Sequence, residues 1–237
     1  MNIRSITAPN PGAFTLDGTR SYLIDDFAVL DPGPRIDSHV EAIWRAQPKL
    51  RTIFITHRHA DHAPAAVPLK RATGARIVAP AGVLDETDVV VSDGDTFDGL
   101  KVIATPGHTG EHVCYLTPAG DLFTGDTVLG TGTTAIFPPD GDMAEYIRSL
   151  QKLRALKPRR IFPAHGPTRD DAIALLDEYI AHRLQREQQV LDAIAQGATT
   201  VPEMRALIYP NLDPRLIAAA EIQIEAHLIK LRKEGRA

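Results

Sequence analysis

Four potential metal ligands, His57, His59, Asp61 and His62, fall within six consecutive residues, directly after an apolar run that closes at Thr56. With nine histidines in 237 residues, such crowding is far from a chance spacing. In an extended segment residues two apart project to the same side, so His57, His59 and Asp61 are placed to converge. His62 follows where the chain is expected to turn into a helix, and it aims elsewhere. Two directions of approach suit two metal ions better than one. Imidazole nitrogen and carboxylate oxygen are donors that Zn²⁺ accepts, and Mn²⁺ or Fe²⁺ fit them as well.

The same design recurs downstream, where an apolar strand runs into a turn containing Gly or Pro and then a ligand. His108 follows Thr105, Pro106 and Gly107, Asp126 follows Thr124 and Gly125, and His165 follows Pro163 and Ala164. Alternation and β-branched content predict strands at Tyr22–Ile24, Ala28–Asp31, Leu50–Thr56, Arg76–Ala79, Lys101–Thr105, Val113–Thr117, Asp121–Thr124 and Arg160–Pro163. Helices are expected over Asp37 or Ser38 to Ala46, His62–Thr73 and Met143–Leu156. Short strands, some joined by tight turns, indicate an α/β protein with partly antiparallel sheets.

Beyond His165 only helical periodicity remains. A long segment from Asp170 carries Ile173, Leu176, Ile180, Leu184, Val190, Leu191 and Ile194 and stops at Gly197. Thr199 or Thr200 is placed to cap a helix over Val201–Tyr209, and Pro214 to open a last one reaching Gly235. We expect a domain boundary near residue 168, with residues 1–168 catalytic and residues 169–237 a winged-helix-like tail.

His57, His59, Asp61 and His62, with the segments around His108, Asp126 and His165, resemble the successive signatures of the metallo-β-lactamase superfamily. The resemblance implies an αββα sandwich with two metals in the groove between its sheets. By motif, His57, His59 and His108 would bind one ion, Asp61, His62 and His165 the other, and Asp126 would bridge them. Two Zn²⁺ ions about 4 Å apart would bring a shared water near neutral pKa, and Asp61 would orient that water or take its proton. The segment His182–Leu191, with Leu122–Gly130 and Leu228–Gly235, is similar to the β-lactamase-like protein 2 subgroup. That subgroup includes an endoribonuclease acting on single-stranded RNA, and related fungal thioesterases release polyketides from acyl carrier protein. Where such relatives often have a Gly-rich turn after the last motif histidine, this chain has Ala63, Pro64, Ala65 and Ala66.

The resemblance leaves the scissile bond open between an RNA phosphodiester and a small-molecule ester or thioester, including hydroxyacylglutathione-type substrates. An iron-dependent dioxygenase and a winged-helix regulator are weaker readings. The tail has nine Lys and Arg against eleven Asp and Glu, which disfavours duplex DNA as a partner. No segment approaches the length needed to span a bilayer. Cys114 is the single cysteine, expected as a small buried residue, and it points to a reducing, cytoplasmic setting. His39, His112, His182 and His227 are expected to be structural or exposed. His112 is the exception to watch, as an outer partner of the ligands.

Overall fold

Strand alternation builds the molecule. The computed structural model describes residues 1–237, with strands β1 (Ile3–Thr7), β2 (Arg20–Ile24) and β3 (Ala28–Leu30), helix α1 (Asp37–Ala46), β4 (Thr52–Phe54), α2 (Ala66–Thr73), β5 (Arg76–Ala79), β6 (Val89–Val90), β7 (Thr96–Phe97), β8 (Leu100–Ala104), β9 (Val113–Leu116), β10 (Asp121–Gly125), α3 (Met143–Ala155), β11 (Arg160–Pro163), α4 (Ala172–Ala195), α5 (Val201–Ile208) and α6 (Ile217–Lys233). One sheet has the order β1-β2-β3-β4-β5-β6 and the other β11-β10-β9-β8-β7. Pairing is antiparallel from β1 to β3, parallel from β3 to β6, antiparallel from β7 to β10 and parallel between β10 and β11.

Successive strand residues serve opposite layers. Tyr22 and Ile24, Leu30, Phe54, Val102, Tyr115, Phe123 and Phe162 meet in one cluster between the sheets. Their neighbours Leu23, Val29, Ile53 and Ile77 pack outward with Ile43 of α1 and Leu69 of α2. On the far side Ile103, Cys114, Leu122 and Ile161 pack with Ile147 and Leu150 of α3 and Leu176 of α4. The order helix, sheet, sheet, helix is the αββα sandwich expected. Each fully buried Leu, Ile or Phe contributes about 1.5–3 kcal/mol, so these three layers dominate stability.

Several element ends differ from the sequence reading. The fourth strand is three residues long, because its continuation bends into the ligand loop. Helix α2 begins at Ala66, and residues 60–65 form turns. Helix α1 begins at Asp37, which sits in its acidic first turn, and no side chain caps it. Asp142 caps α3 by accepting from the Ala144 and Glu145 amides. Trp44 and Leu156, which periodicity places on buried helix faces, are exposed at 48% and 37%. Strands β1, β6 and β7 lie outside the sequence reading; β6 and β7 have only two residues each, too few to show a period.

The tail is helical throughout, and no strand follows Pro163. Thr200 makes a reciprocal capping box with Glu203, and Pro214–Leu216 forms one 3-10 turn before α6. Val190 and Ala193 of α4, Met204 of α5 and Ile224, Leu228 and Leu231 of α6 make a separate small core. Helix α4 bridges the two regions, since its first half packs in the outer layer of the second sheet. Its inward face runs through Leu175, Leu176, Tyr179, Arg183, Glu187 and Val190. Leu184, which periodicity places on that face, is instead 47% exposed. Two charged residues thus occupy positions where periodicity alone would place apolar ones.

Candidate metal centre

The loops after β4, β8, β10 and β11 end at one edge of the sandwich, where the seven anticipated ligands meet. His57, His59, His108 and Asp126 form one group, and Asp61, His62, Asp126 and His165 a second. Within each, one donor atom per residue lies within 4.8 Å of the others. Simple alternation puts Asp61 beside His57 and His59. The chain turns at residues 60–62, however, and Asp61 falls in the other group.

Hydrogen bonds orient the rings. Thr56 Oγ1 donates to Asp31 Oδ2 at 2.8 Å, so at 3.0 Å it accepts from His57 Nδ1. His62 Nδ1 donates to Asp31 Oδ2 at 3.0 Å, and His108 Nδ1 to the Ala135 carbonyl at 3.0 Å. His165 Nδ1 faces the Gly18 carbonyl at 3.4 Å. With neutral rings, all four would present a lone pair at Nε2. His59 presents Nδ1 instead, 2.9 Å from His57 Nε2 and 3.1 Å from His108 Nε2. His165 Nε2 stands 3.2 Å from both Asp61 Oδ2 and Asp126 Oδ1, and His62 Nε2 is 3.4 Å from each. Donors held about 2.1 Å from a tetrahedral zinc are about 3.4 Å apart, so these separations match that geometry. His62 Nε2 and Asp126 Oδ1 are buried with no hydrogen-bond partner. Orphaned buried atoms of this kind are costly unless an ion satisfies them.

The electrostatics agree. Burial disfavours a charged His62, yet Asp126, Asp31 and Asp61 together hold its pKa well above the usual imidazole value. Burial would raise Asp61 and Asp126, but His62 and its neighbours hold both carboxyls below their usual range. This corner favours positive charge. Burial, then His62 and His112, keep His57 neutral, as a ligand must be.

Glycine makes the close approach possible at Gly125, which has a φ of 48°. A Cβ there would stand 2.6 Å from Thr56 Oγ1 and 2.7 Å from His112 Nε2. His112 accepts from the Asp126 amide at 3.2 Å, and its Nδ1 lies 2.9 Å from Thr105 Oγ1. It therefore holds the Asp126 loop from behind the candidate ligands. Sequence reasoning takes Asp31 only as a strand end, although it is fully buried and anchors His62, Thr56 Oγ1 and the Thr56 amide. The signal that could have found it is an acid closing an apolar strand just before Pro32 and Gly33, whereas the candidate ligands follow their turns.

Other residues near the motif are occupied structurally. Tyr22 is buried between the sheets with its hydroxyl on the Pro163 carbonyl. Arg20 bonds the Gly166 carbonyl and Asp17, and Arg58 is clamped by Glu111 and Asp140. His39 is buried against Ser21 Oγ. Burial pushes the Cys114 thiol up to about 12.

A cavity of about 860 Å³ opens over His59, Asp61, His108 and Asp126. Phe14, Leu16 and Phe137 form one side, and Tyr209, Leu212 and Leu216 of the tail form the other. No lysine or arginine lines it.

Residues 14–165 match the family model described as Metallo-beta-lactamase superfamily, and residues 200–237 match Beta-lactamase associated winged helix domain. The chain is 34% identical to a Beta-lactamase-like protein 2 homolog of Drosophila melanogaster, over 96% of this chain and 86% of that protein. It is 31% identical to an Atrochrysone carboxyl ACP thioesterase of Aspergillus fumigatus, over 86% of this chain and 72% of the other. Its fold is similar to that of a metallo-beta-lactamase family protein from Thermus thermophilus. The TM-score is 0.79 at 20% identity, covering 98% and 94% of the two chains.

Proposed function

Because this chain belongs to the metallo-beta-lactamase superfamily of hydrolases, we propose that it uses two metal ions to hydrolyse the ester or thioester of a largely apolar acyl group. The observation that carries this reading is the cavity over the ligand groups, which is walled by apolar side chains and lined by no lysine or arginine. An RNA backbone would call for lysine or arginine along the groove. Arg58, the basic residue inside the motif, is neutralised by Glu111 and Asp140. The similarity to a protein named as a thioesterase supports the same choice.

We assign His57, His59 and His108 to one ion, Asp61, His62 and His165 to the other, and Asp126 to both. Zn²⁺ suits this nitrogen-rich set, with Mn²⁺ or Fe²⁺ as alternatives. When bound, the pair of ions would generate a nucleophile from water and polarise the acyl carbonyl. Asp61, 26% exposed at its side chain, reaches the cavity, where it would orient that water or accept its proton. Thr19 Oγ1, 3.5 Å from Asp61 Oδ2, helps hold the carboxylate. The apolar walls exclude bulk water and take the acyl chain. Residues 1–168 would form the catalytic domain, and the tail from 169 would supply the second wall. A single buried cysteine supports a reducing compartment, the cytoplasm.

The test is hydrolysis by metal-loaded protein of a medium-chain acyl thioester and, in parallel, of labelled single-stranded RNA. His59→Ala, with its metal content measured, is the control. Thioester turnover that falls at least about 100-fold in the variant, as metal drops from two ions per chain toward one, is expected. RNA cleavage without thioester turnover would reverse the assignment.

A further inference from the structure

A second cavity, of about 230 Å³, lies between α4, α5 and α6 and meets the first at Thr133, Tyr209 and Gln223. Apart from the Tyr209 phenol its titratable lining is basic: Arg183, Arg186, His182 and His227, with no carboxylate. Arg183 is 2% exposed and His227 1%. The Arg183 guanidinium is only partly satisfied. Nη2 donates to Thr133 Oγ1 and the Thr134 carbonyl, Nη1 reaches Gln223 Oε1 at 3.5 Å, and the ring of Tyr146 lies 5.3 Å below it. Its Nε has no partner, and neither ring nitrogen of His227 has one. Glu187, the buried acid of the same helix, is engaged by Lys230 and Arg236 at 2.6 Å each.

Burying a cation beside unpaired donors is costly unless an anion completes the site. A cavity this small suits one ionic group rather than a whole ligand. We propose that this pocket is an oxyanion subsite, which takes a phosphate carried on the leaving-group arm of the substrate while the acyl chain lies in the apolar groove. Arg183 and Arg186 supply charge, and the His227 N–H adds a donor. The substrate part of this proposal rests on the ester or thioester reading; the anion site itself does not.

Arg186 is the residue to change first. It is half-buried, with contacts to His182 Nε2 at 3.3 Å and Gln189 Oε1 at 2.7 Å on its own helix and over the Tyr209 ring. The binding arm measures inorganic phosphate by calorimetry on metal-loaded wild type, Arg186→Gln, Arg186→Lys, His227→Leu and His59→Ala. The expected result is affinity weakened about tenfold or more in Arg186→Gln and His227→Leu, partly restored in Arg186→Lys and retained in His59→Ala. Loss confined to His59→Ala would place phosphate on the metal ions and overturn the subsite, as would no binding at all. The kinetic arm compares an acyl phosphopantetheine with the same acyl pantetheine, which differ only by the phosphate. Arg186→Gln should raise KM about tenfold for the first alone, leaving kcat and the second substrate unchanged. Equal effects on both would overturn substrate binding there, and a phosphate affinity still lost in Arg186→Gln would then identify free phosphate as the ligand. Failure of both thioesters with that affinity pattern intact would sink the acyl-hydrolase reading and leave the anion site standing.

Discussion

At the scale of single residues, the candidate ligands are readable because metal chemistry demands particular side chains at particular places. Histidine and aspartate after a strand and a small-residue turn make a pattern that needs no tertiary knowledge. Asp31 shows where that ends. Its carboxylate bonds the His62 ring and the Thr56 hydroxyl, yet its local sequence gives it only the strand-then-turn setting, which many ordinary acids share. Asp31→Asn keeps the shape and removes the charge that orients His62. Metal affinity in the Asp61, His62 and His165 group should fall at least about tenfold, as measured by chelator competition, and fall further than in the other group, which Asp31 reaches only through Thr56 and His57. An unchanged affinity would reduce Asp31 to a packing role.

At the scale of elements, α4 is the informative case. Periodicity locates the helix, but it turns Leu184 inward, whereas the buried residues are Arg183 and Glu187, of types rarely buried unless paired. The structure rotates the face because α5 and α6 close over that side, with Lys230 of α6 pairing Glu187 and Gln223 of α6 reaching Arg183, whose other partners are Thr133 and Thr134. The same closure buries His227, whose pKa burial and Arg183 lower to about 4. The folded state therefore keeps this imidazole neutral, whereas the unfolded chain takes a proton near pH 6.5. Stability is undiminished above about pH 6.5, declines as pH falls through it, and stops declining below about pH 4, for a loss of up to about 3 kcal/mol. In thermal denaturation from pH 7 to 4, His227→Leu should lose less melting temperature than wild type. Parallel curves would show that His227 does not contribute to acid sensitivity.

At the scale of the whole molecule, the four layers follow from strand alternation, and the catalytic edge follows from where the strands end. The groove does not follow, because its second wall comes from residues more than forty positions beyond the last ligand. Leu216 is 53% exposed on that wall. A glutamate there should cost little stability, as for most exposed positions. For a medium-chain acyl thioester, Leu216→Glu should raise KM about tenfold, with an acetyl thioester and the metal content unaffected. An equal loss on both substrates would mean that the wall does not sort acyl chains.

What the sequence alone determined is the local chemistry: the ligand types, their strand-end turns, the alternation that makes a double-faced sheet, and the cap that starts α5. These depend on residues within a turn or two of each other, where spacing is set by backbone geometry. What only the tertiary structure decided is the support that Asp31 gives to His62 and Thr56, which helix face turns inward, and the apolar groove beside a basic pocket. Those depend on docking between distant segments, where burial and solvation are set by partners that no local pattern records.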